Sequence, residues 1–266
     1  MSKIHPSAII DTKAELGDVE IGPFCVVGPH VKMGDGCKLM SHVVVDGFTT
    51  MGKNNTFYPF ASAGLLAQHA RSNAPDAQLI IGDNNTFREQ VTLHVGSEVD
   101  KKITIIGNNN LMLVGVHVAH DCVVGNGCVM SNHATLAGHV IVEDNVTMGG
   151  FSAVLQFTHI GKGCMIGGTC GILRDVIPYG IVMNNTGKSE LAGLNLIGLQ
   201  RRGVEKKTIF EIQKAYKMLF NKEDGTFAER IQKLAAAEQF KDIEQVQDII
   251  RFVQNPSKNM ILQPEK

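Results

Sequence analysis

No stretch of the 266 residues approaches the run of about 20 apolar residues that a membrane-spanning helix requires. The opening residues, Met1-Ser-Lys-Ile-His-Pro, also lack the apolar core of a signal peptide. Charge of one sign is not in excess either, since 25 Lys and Arg against 26 Asp and Glu leave a net charge of −1. The molecule as a whole is therefore not built to hold a polyanion, although a local basic patch is compatible with this balance. These absences predict a cytoplasmic protein without an integral membrane segment or a nucleic-acid partner.

What is present is a period of six. An aliphatic residue falls at every sixth position from Ile106 to Ile172, and a second column of mostly small residues lies four positions after each of them. This period matches neither a helix, at about 3.6, nor a flat strand, at about 2. It is typical of the hexapeptide repeat of a parallel β-helix, in which three short strands close one coil.

The repeat also sets the predicted domain organisation. It begins weakly at Ile10 and is interrupted at 64–80 and at about 96–104, which we interpret as loops leaving a corner of the scaffold, where binding groups are common. After Tyr179 the period stops, and the remaining sequence has helical spacing. We expect a helix or helical turn over 189–202, a helix over 205–221, an N-cap at Thr226 and a last apolar stripe from Ile243 to Val253. The sequence therefore predicts an all-β solenoid at residues 1–188 and an α-helical C-terminal domain at 189–266.

The cysteines follow the same rule. All six occupy the inward column of small residues, where a free cysteine packs as a small hydrophobe: Cys25, Cys37, Cys122, Cys128, Cys164 and Cys170. One packing rule explains the whole set. We therefore expect reduced, unreactive thiols in preference to disulfides or a metal cluster.

One corner gathers polar residues with chemical potential. Residues 18 apart should stack on neighbouring coils, roughly 4.8 Å from each other. This places together His117, His120, Asp121, Gly138, His139 and Gln156. A histidine beside a carboxylate can act as a general base near neutral pH, and a glycine lets a backbone N–H approach a developing negative charge. A zinc site formed by His117, His120 and His139 is the rival interpretation.

These motifs resemble a known family. The segments from Asn110 to Cys122 and from Ala134 to Val140, together with Gln156-Phe157 and Leu199-Gln-Arg-Arg-Gly203, are similar to the acyl-[acyl-carrier-protein]–UDP-N-acetylglucosamine O-acyltransferases of lipid A biosynthesis. The resemblance covers nearly the whole chain. It implies a left-handed β-helix, which is an exception to the right-handed crossover rule, and a homotrimer with active sites between neighbouring prisms.

The resemblance also implies roles for individual residues. His120 would take the proton from the sugar 3-hydroxyl, Asp121 would orient His120, and the Gly138 N–H would hold the oxyanion. Acyl carrier protein would supply the acyl donor as a phosphopantetheine thioester, so no further cofactor and no metal are expected. Substrate contacts are implied for His117, His139, Gln156, Asn195, Arg201, Arg202, His69, Arg71 and Gly168. A basic C-terminal surface with Lys206, Lys207, Lys214 and Lys217 suits an acidic carrier.

The chain departs from the family pattern on the acceptor side. Leu155 stands where a histidine is frequent, Ile197 where some members have an acidic residue, and His69-Ala-Arg71 replaces a familiar Asp-Leu-Lys. These departures leave open whether the acceptor is UDP-N-acetylglucosamine or its 3-amino analogue. Gly168 lies where the family sets the floor of the acyl groove, and a glycine there predicts that a long chain fits.

Three other functions are weighed against this one. The paralogous N-acyltransferase of the same pathway carries an additional N-terminal uridine-binding domain, whereas the coils here are expected to begin almost at residue 4. A trimeric zinc hydratase on the same fold would retain metal on purification and lose activity with a chelator. A non-catalytic paralogue would bind the sugar nucleotide without turning it over.

Overall fold

The computed structural model describes residues 2–70, 72, 74–98 and 100–264. In the described residues, twenty-seven parallel strands wind around a prism with three faces, and one hairpin strand extends one face antiparallel. The first sheet contains Lys3–Ile4, Glu20–Ile21, Lys38–Leu39, Thr56–Phe57, Thr86–Phe87, Leu111–Met112, Val129–Met130, Thr147–Met148, Met165–Ile166, Gly180–Asn185 and Lys188–Leu194. The second contains Ile9–Ile10, Val26–Val27, Val44–Val45, Ser62–Leu65, Thr92–His94, His117–Val118, Thr135–Leu136, Ala153–Val154 and Gly171–Ile172. The third contains Glu15–Leu16, Lys32–Met33, Phe48–Met51, Gln78–Ile81, Ile103–Ile106, Val123–Val124, Ile141–Val142 and His159–Ile160.

The predicted left-handed parallel β-helix with a helical C-terminal segment is confirmed. Strands pair with the strand one coil away, as in His117 with Thr135 and Thr135 with Ala153, so the expected 18-residue stacking holds. Every aliphatic residue of the column from Ile106 to Ile172 is buried, and so is every member of the small column beside it. The six-residue period thus arises because each of the three faces buries the same two positions of every hexapeptide in a common core.

Each corner of the prism turns through a residue with a left-handed backbone. Asn54, Asn84 and Asn109 occupy such positions on one corner, with φ of 57°, 59° and 58°. Asparagine tolerates this region better than most residues, which explains its recurrence at this corner. On another corner the same conformation is imposed on Asp121, His139 and Phe157, at 61°, 63° and 64°.

All six cysteines are free and buried, as the inward column predicts. Burial raises the pKa of the Cys122 thiol to about 12 and that of Cys128 to about 11. The thiols donate to main-chain carbonyls of the wall, for example Cys122 Sγ to Ala137 O at 3.1 Å. A thiol that stays protonated is a poor nucleophile and a poor metal ligand.

The C-terminal segment begins differently from the prediction. The helical turn expected from Ser189 is wrong in its first half, because Lys188–Leu194 is a strand that pairs antiparallel with Gly180–Asn185. That pairing covers what would otherwise be an open edge of the first sheet. The boundary predicted between residues 188 and 189 accordingly falls inside this hairpin.

Four α-helices follow the hairpin: α1 (Leu196–Arg201), α2 (Lys206–Phe220), α3 (Phe227–Ala235) and α4 (Glu244–Gln254), with 3₁₀ turns at Lys222–Asp224 and Glu238–Phe240. Thr226 caps α3 through a capping box with Glu229, which confirms that prediction. Among the helices in the described part of the chain, none is long and apolar enough to cross a membrane.

A buried acid fastens the helices to the prism. Asp248 of α4 is 4% exposed and accepts a 2.5 Å hydrogen bond from the Tyr179 hydroxyl at the last corner of the coil. Lys162 Nζ lies 3.0 Å from the same carboxylate, and Arg251 pairs with it from the next turn of α4. A buried charge satisfied from both the coil and the helix ties their positions together.

We expect Asp248→Ala to lower the free energy of unfolding by about 3 kcal/mol, because it removes a buried charge and leaves the Tyr179 hydroxyl without its acceptor. Denaturant unfolding followed by circular dichroism measures the loss. Asp242→Ala, at an exposed position just before α4, is the matched control. Equal stabilities of the two variants would show that the Tyr179–Asp248 contact does not hold the helices.

Candidate active site

The candidate site lies on the corner between the second and third sheets. His117 is in a strand of the second sheet, and His120 and Asp121 follow on the turn that leads to Val123–Val124. One coil further on, Gly138 and His139 occupy the same two turn positions, and the His139 N–H donates to His120 O at 3.0 Å. The next coil places Gln156 and Phe157 there, and the Phe157 N–H donates to Gly138 O at 3.2 Å. The structure thus brings together the corner set that the sequence predicts.

His120 and Asp121 form a buried pair. The Nδ1 of His120 lies 2.8 Å from Asp121 Oδ2, and the two residues are 4% and 7% exposed. Burial alone would raise the pKa of Asp121, but hydrogen bonds from His120 and Ser97 hold that pKa below its usual value. An ionised carboxylate can only accept, so His120 donates Nδ1–H to it and keeps the lone pair on Nε2. That tautomer is the one a general base requires.

Gly138 lies directly against the His120 ring. A Cβ built on Gly138 would come within 2.5 Å of His120 Cε1 and 2.7 Å of Nε2, so no other residue leaves room for the imidazole at this position. Among the described residues, none accepts a hydrogen bond from the Gly138 N–H. A free backbone donor beside a basic nitrogen is the arrangement that an acyl-transfer site needs for its oxyanion.

The corner residues continue as a stack of rings. His139 lies edge to face against His120, with ring centroids 5.0 Å apart, and Phe157 stacks on His139 at 4.5 Å and 9°. His139 Nδ1 also lies 3.0 Å from Asp100 Oδ2, within the second interruption of the repeat. The stack orients His139 toward the same side of the corner as His120.

The C-terminal tail closes the far end of this stack. Lys258 Nζ lies 4.8 Å above the Phe157 ring, and Asn259 Nδ2 donates to Gln156 O at 2.6 Å. Ser257 is fixed by the buried Asp175, through its N–H and its hydroxyl. Gln156 is therefore held through its main chain, and its side chain is exposed beside the tail.

His117 is half-buried on the strand that leads into this corner. Its Nδ1 is 2.8 Å from Thr92 Oγ1, and its ring lies edge to face 5.3 Å from His94. Burial is the main cause that lowers the pKa of His117, and the neighbouring His94 and His120 lower it further. His117 is consequently kept neutral next to the reactive pair.

The first interruption of the repeat reaches the same corner. His94, which is buried, donates from its ring to Leu66 O at 2.7 Å and so fixes the start of this loop. The loop places His69 edge to face against His120, with centroids 5.3 Å apart. Arg71, the other predicted contact from this loop, lies outside the described residues.

Four predicted contact residues do not lie on this corner of the chain. Asn195 caps α1 and also donates from Nδ2 to Gly163 O at 3.0 Å, while Arg202 lies over the Tyr179 ring and Arg201 is exposed. Gly168 is exposed on the corner between the first and second sheets, stacked on Gly150. Leu155 and Ile197, which mark departures from the family pattern, are exposed at 46% and 64%.

Sequence reasoning missed several residues around the reactive pair. They are His94, Ser97, Asp100, Thr104, Lys258 and Asn259. Most lie in the interruptions or the tail, where the six-residue repeat does not predict the position of a residue in the fold. Thr104 does keep the register, at the small inward position 18 before Cys122, and that was a usable signal.

The same corner also contains side chains that can ligate a metal ion. His120, Asp121 and His139 offer ligand atoms within 4.8 Å of one another, whereas His117 of the predicted trio is not part of that group. Asp121 Oδ2, however, already accepts from Ser97 N–H, from Ser97 Oγ and from His120. A metal on Asp121 Oδ2 would have to compete with these three donors, so the arrangement fits a base and its carboxylate better.

Comparisons with known proteins agree with this chemistry. A family model described as UDP-N-acetylglucosamine O-acyltransferase, domain 2, matches residues 175–261. Two proteins named acyl-[acyl-carrier-protein]–UDP-N-acetylglucosamine O-acyltransferase, from Sinorhizobium fredii and Rhizobium johnstonii, are each 41% identical to this chain. The matches cover 100% of this chain and 97% and 96% of those two proteins, respectively. The solved structure of LpxA from Acinetobacter baumannii superposes with a TM-score of 0.92 at 39% identity, covering 98% of this chain and 99% of that one. The UDP-N-acetylglucosamine acyltransferase from Campylobacter jejuni gives 0.90 at 30%, covering 99% and 100%.

The lowered pKa of His117 makes a prediction about pH. The folded state binds this proton less readily than the unfolded state, whose pKa is near 6.5, so His117 contributes stability above that pH and loses it as pH falls toward the lowered value. We expect the stability difference between wild type and His117→Gln to shrink as pH is lowered from 7.5 to about 5. Denaturant unfolding at several pH values measures it, with exposed His133→Gln as control. A difference that stays constant with pH would contradict the assignment.

Proposed function

This chain belongs to the acyl-[acyl-carrier-protein]–UDP-N-acetylglucosamine O-acyltransferase family, and we propose that it transfers an acyl chain from acyl carrier protein to the 3-hydroxyl of UDP-N-acetylglucosamine. This is the first step of lipid A biosynthesis, and the proposal places the protein in the cytoplasm. The observation that carries the proposal is the buried His120–Asp121 pair with Gly138 against its ring. Transfer of an acyl group from a thioester to a sugar hydroxyl needs a general base beside a hydrogen-bond donor for the oxyanion.

The proposed reaction uses the two nitrogens of His120 differently. Nε2 takes the proton of the sugar hydroxyl as its oxygen attacks the thioester carbonyl carbon. Negative charge then develops on the carbonyl oxygen, and the Gly138 N–H stabilises it. The tetrahedral intermediate collapses, the carbon–sulfur bond breaks, and the phosphopantetheine sulfur leaves with the proton returned from His120. Asp121 holds Nδ1–H throughout and stabilises the imidazolium that forms between these steps.

The surroundings of the pair support roles in substrate binding. His69 from the first loop and His139 from the next coil flank His120, and neutral His117 adds a wall with little charge. We propose that these residues, with Gln156 and Arg71, contact the acceptor sugar or the donor chain. The thioester is supplied on the phosphopantetheine arm, so the proposed reaction requires no other cofactor.

A homotrimer is the proposed assembly. Within one chain, Asn195, Arg202 and Gly168 lie away from the His120 corner, so their proposed substrate contacts require the corner of a neighbouring copy. Large aromatic side chains are exposed along the corner that carries Gly168, namely Phe24, Phe60 and Phe151. A row of this kind on a soluble prism face is the usual mark of a protein interface.

The test of the function is a product analysis. The protein is incubated with acyl carrier protein thioesters of increasing chain length and with either UDP-N-acetylglucosamine or its 3-amino analogue. The masses of the products are then measured by mass spectrometry. We expect an ester of UDP-N-acetylglucosamine. An amide with the amino sugar alone would shift the proposal to the N-acylating alternative. Because Gly168 adds no side chain to the proposed groove, the chain-length series should favour long thioesters.

His120→Ala should reduce turnover by about 100-fold or more while leaving the trimer folded, since His120 is the proposed base and fills no core position. Steady-state kinetics and circular dichroism measure both properties, and His5→Ala, at an exposed position in the first coil, is the matched control. Near-normal turnover in folded His120→Ala would remove His120 from the mechanism.

Carrier docking is proposed for the exposed basic face formed by Arg201 with Lys206, Lys207, Lys214 and Lys217. Arg202 is a poorer probe, because it also packs on Tyr179. Arg201→Glu should raise the KM for acyl carrier protein by about 3–10-fold at low salt, and added salt should weaken the wild-type interaction. Lys13→Glu, at an exposed position near the other end of the prism, carries the same charge change as control. Identical salt-dependent donor kinetics in both variants would assign this face another purpose.

A further inference from the structure

The second interruption of the repeat, residues 96–104, leaves the prism at the His120 corner itself. It connects Thr92–His94 of the second sheet to Ile103–Ile106 of the third, which is the same passage that His120 and Asp121 make one coil later. The interruption therefore replaces the turn on which Asp121 would otherwise stack. Asp121 must obtain its contacts from the inserted residues.

The backbone of Asp121 shows this replacement. In the following coils the corner N–H groups donate to main-chain carbonyls, His139 to His120 O and Phe157 to Gly138 O. The Asp121 N–H donates instead to the hydroxyl of Thr104, at 2.8 Å. Thr104 is fully buried, at the end of the interruption, so a side chain performs the task that the backbone performs elsewhere.

The carboxylate of Asp121 is held from the other end of the interruption. The Ser97 N–H lies 3.0 Å from both carboxylate oxygens, and the Ser97 hydroxyl donates to Oδ2 at 2.6 Å. Ser97 is 0% exposed. Oδ2 is also the oxygen that accepts from His120 Nδ1, so Ser97 and His120 share one acceptor.

We infer that Ser97 is a positioning residue of the reaction, which fixes the Asp121 carboxylate and sets how strongly it acts on His120. The inference rests on the proposed function, in which His120 is the base. Ser97 does not reach the substrate, because its hydroxyl is buried behind Asp121. Ser97 and Thr104 together form the Asp121 clamp. Ser97 bonds the carboxylate of Asp121, and Thr104 accepts from its N–H.

The pattern of other buried hydroxyls separates this role from ordinary packing. Ser152 Oγ donates to Gly149 O at 2.7 Å, and Thr49 Oγ1 donates to Asp46 O at 2.6 Å. Both satisfy themselves within three residues on a main-chain carbonyl. Ser97 bonds a carboxylate 24 residues away, and a charge-assisted bond of this kind is stronger than a neutral one.

The clamp has an electrostatic consequence for His120. The charged and titratable groups that face it are Asp121, His69 from the first loop, His117 from its own strand and His139 from the next coil, with Asp100 behind His139. Of these, Asp121 is the nearest charge. A donor on Oδ2 draws negative charge away from His120. Removing that donor should make His120 hold a proton more tightly and lose activity at a higher pH.

The test compares Ser97→Ala, Ser97→Cys and the control Ser152→Ala. Ser97→Cys keeps the shape while replacing a strong donor by a weak one, so it stands in if the alanine variant folds poorly. We expect kcat to fall about tenfold in Ser97→Ala and less in Ser97→Cys, with KM within about twofold of wild type. The acid limb of the kcat/KM profile should move up by about half a pH unit. Ser152→Ala should leave the profile in place.

Nuclear magnetic resonance titration of the His120 ring gives a readout that does not need turnover. If the wild type transfers no acyl group, the proposed function fails, yet a raised His120 pKa in Ser97→Ala still supports the clamp. If turnover is found but the folded Ser97 variants show wild-type kcat, acid limb and His120 titration, the clamp is overturned and Ser97 is a packing residue only. A loss of stability without movement of the acid limb would overturn it equally.

Discussion

The constraint on which the structure depends is the set of hydrogen bonds that join each coil to the next. Where the repeat is uninterrupted, these bonds bring each strand residue into register with the residue 18 positions away, as in His117 and Thr135. A parallel ladder of this kind fixes register on all three faces at once, because a slip of one residue would expose the inward columns. The functional consequence is that residues at equivalent positions of neighbouring coils stack on one another. Residues far apart in sequence, such as His120 and Gly138, are forced to lie against each other.

The same constraint explains why the reactive pair lies at a corner. A strand residue alternates between the core and the outer face, but a corner residue with a left-handed backbone turns the chain and leaves its predecessor projecting outward. Asp121 takes that conformation at φ 61°, which costs a non-glycine residue roughly 1 kcal/mol. Thr104 and Ser97 contact Asp121 in this conformation through its N–H and its carboxylate. His120, one residue earlier, is thereby presented with its ring across Gly138.

The coils and the main C-terminal helices could be derived from the sequence, whereas the interruptions of the repeat, the hairpin and the tail could not. The columns containing Cys122 and Val124 follow from the count of six, and the stacking of His120, Gly138 and Gln156 follows from the count of 18. Where the count breaks, position along the chain no longer gives position in space. Ser97 and Lys258 reach the corner through loop and tail conformations that depend on tertiary contacts, such as Asp175 with Ser257. The strand Lys188–Leu194 was missed for a related reason, since its pairing is decided by the open edge it covers.

Under the proposed function, the reacting groups lie on the coils, and part of the contact with the acceptor comes from an insertion. His120, Asp121 and Gly138 lie on regular corners, where a change of side chain leaves the backbone ladder intact but any change of spacing displaces a whole coil. His69, in contrast, lies on a loop whose start is fixed to the prism by the hydrogen bond from His94 to Leu66 O. A loop held in this way can exchange residues without disturbing the ladder beneath it. Two of the departures from the family pattern, His69 and Arg71, fall between residues 64 and 80, whereas Leu155 and Ile197 lie elsewhere in the chain. Under the proposed function, the regular coils hold the reacting groups, and the segments that interrupt the period can vary in how they contact the acceptor.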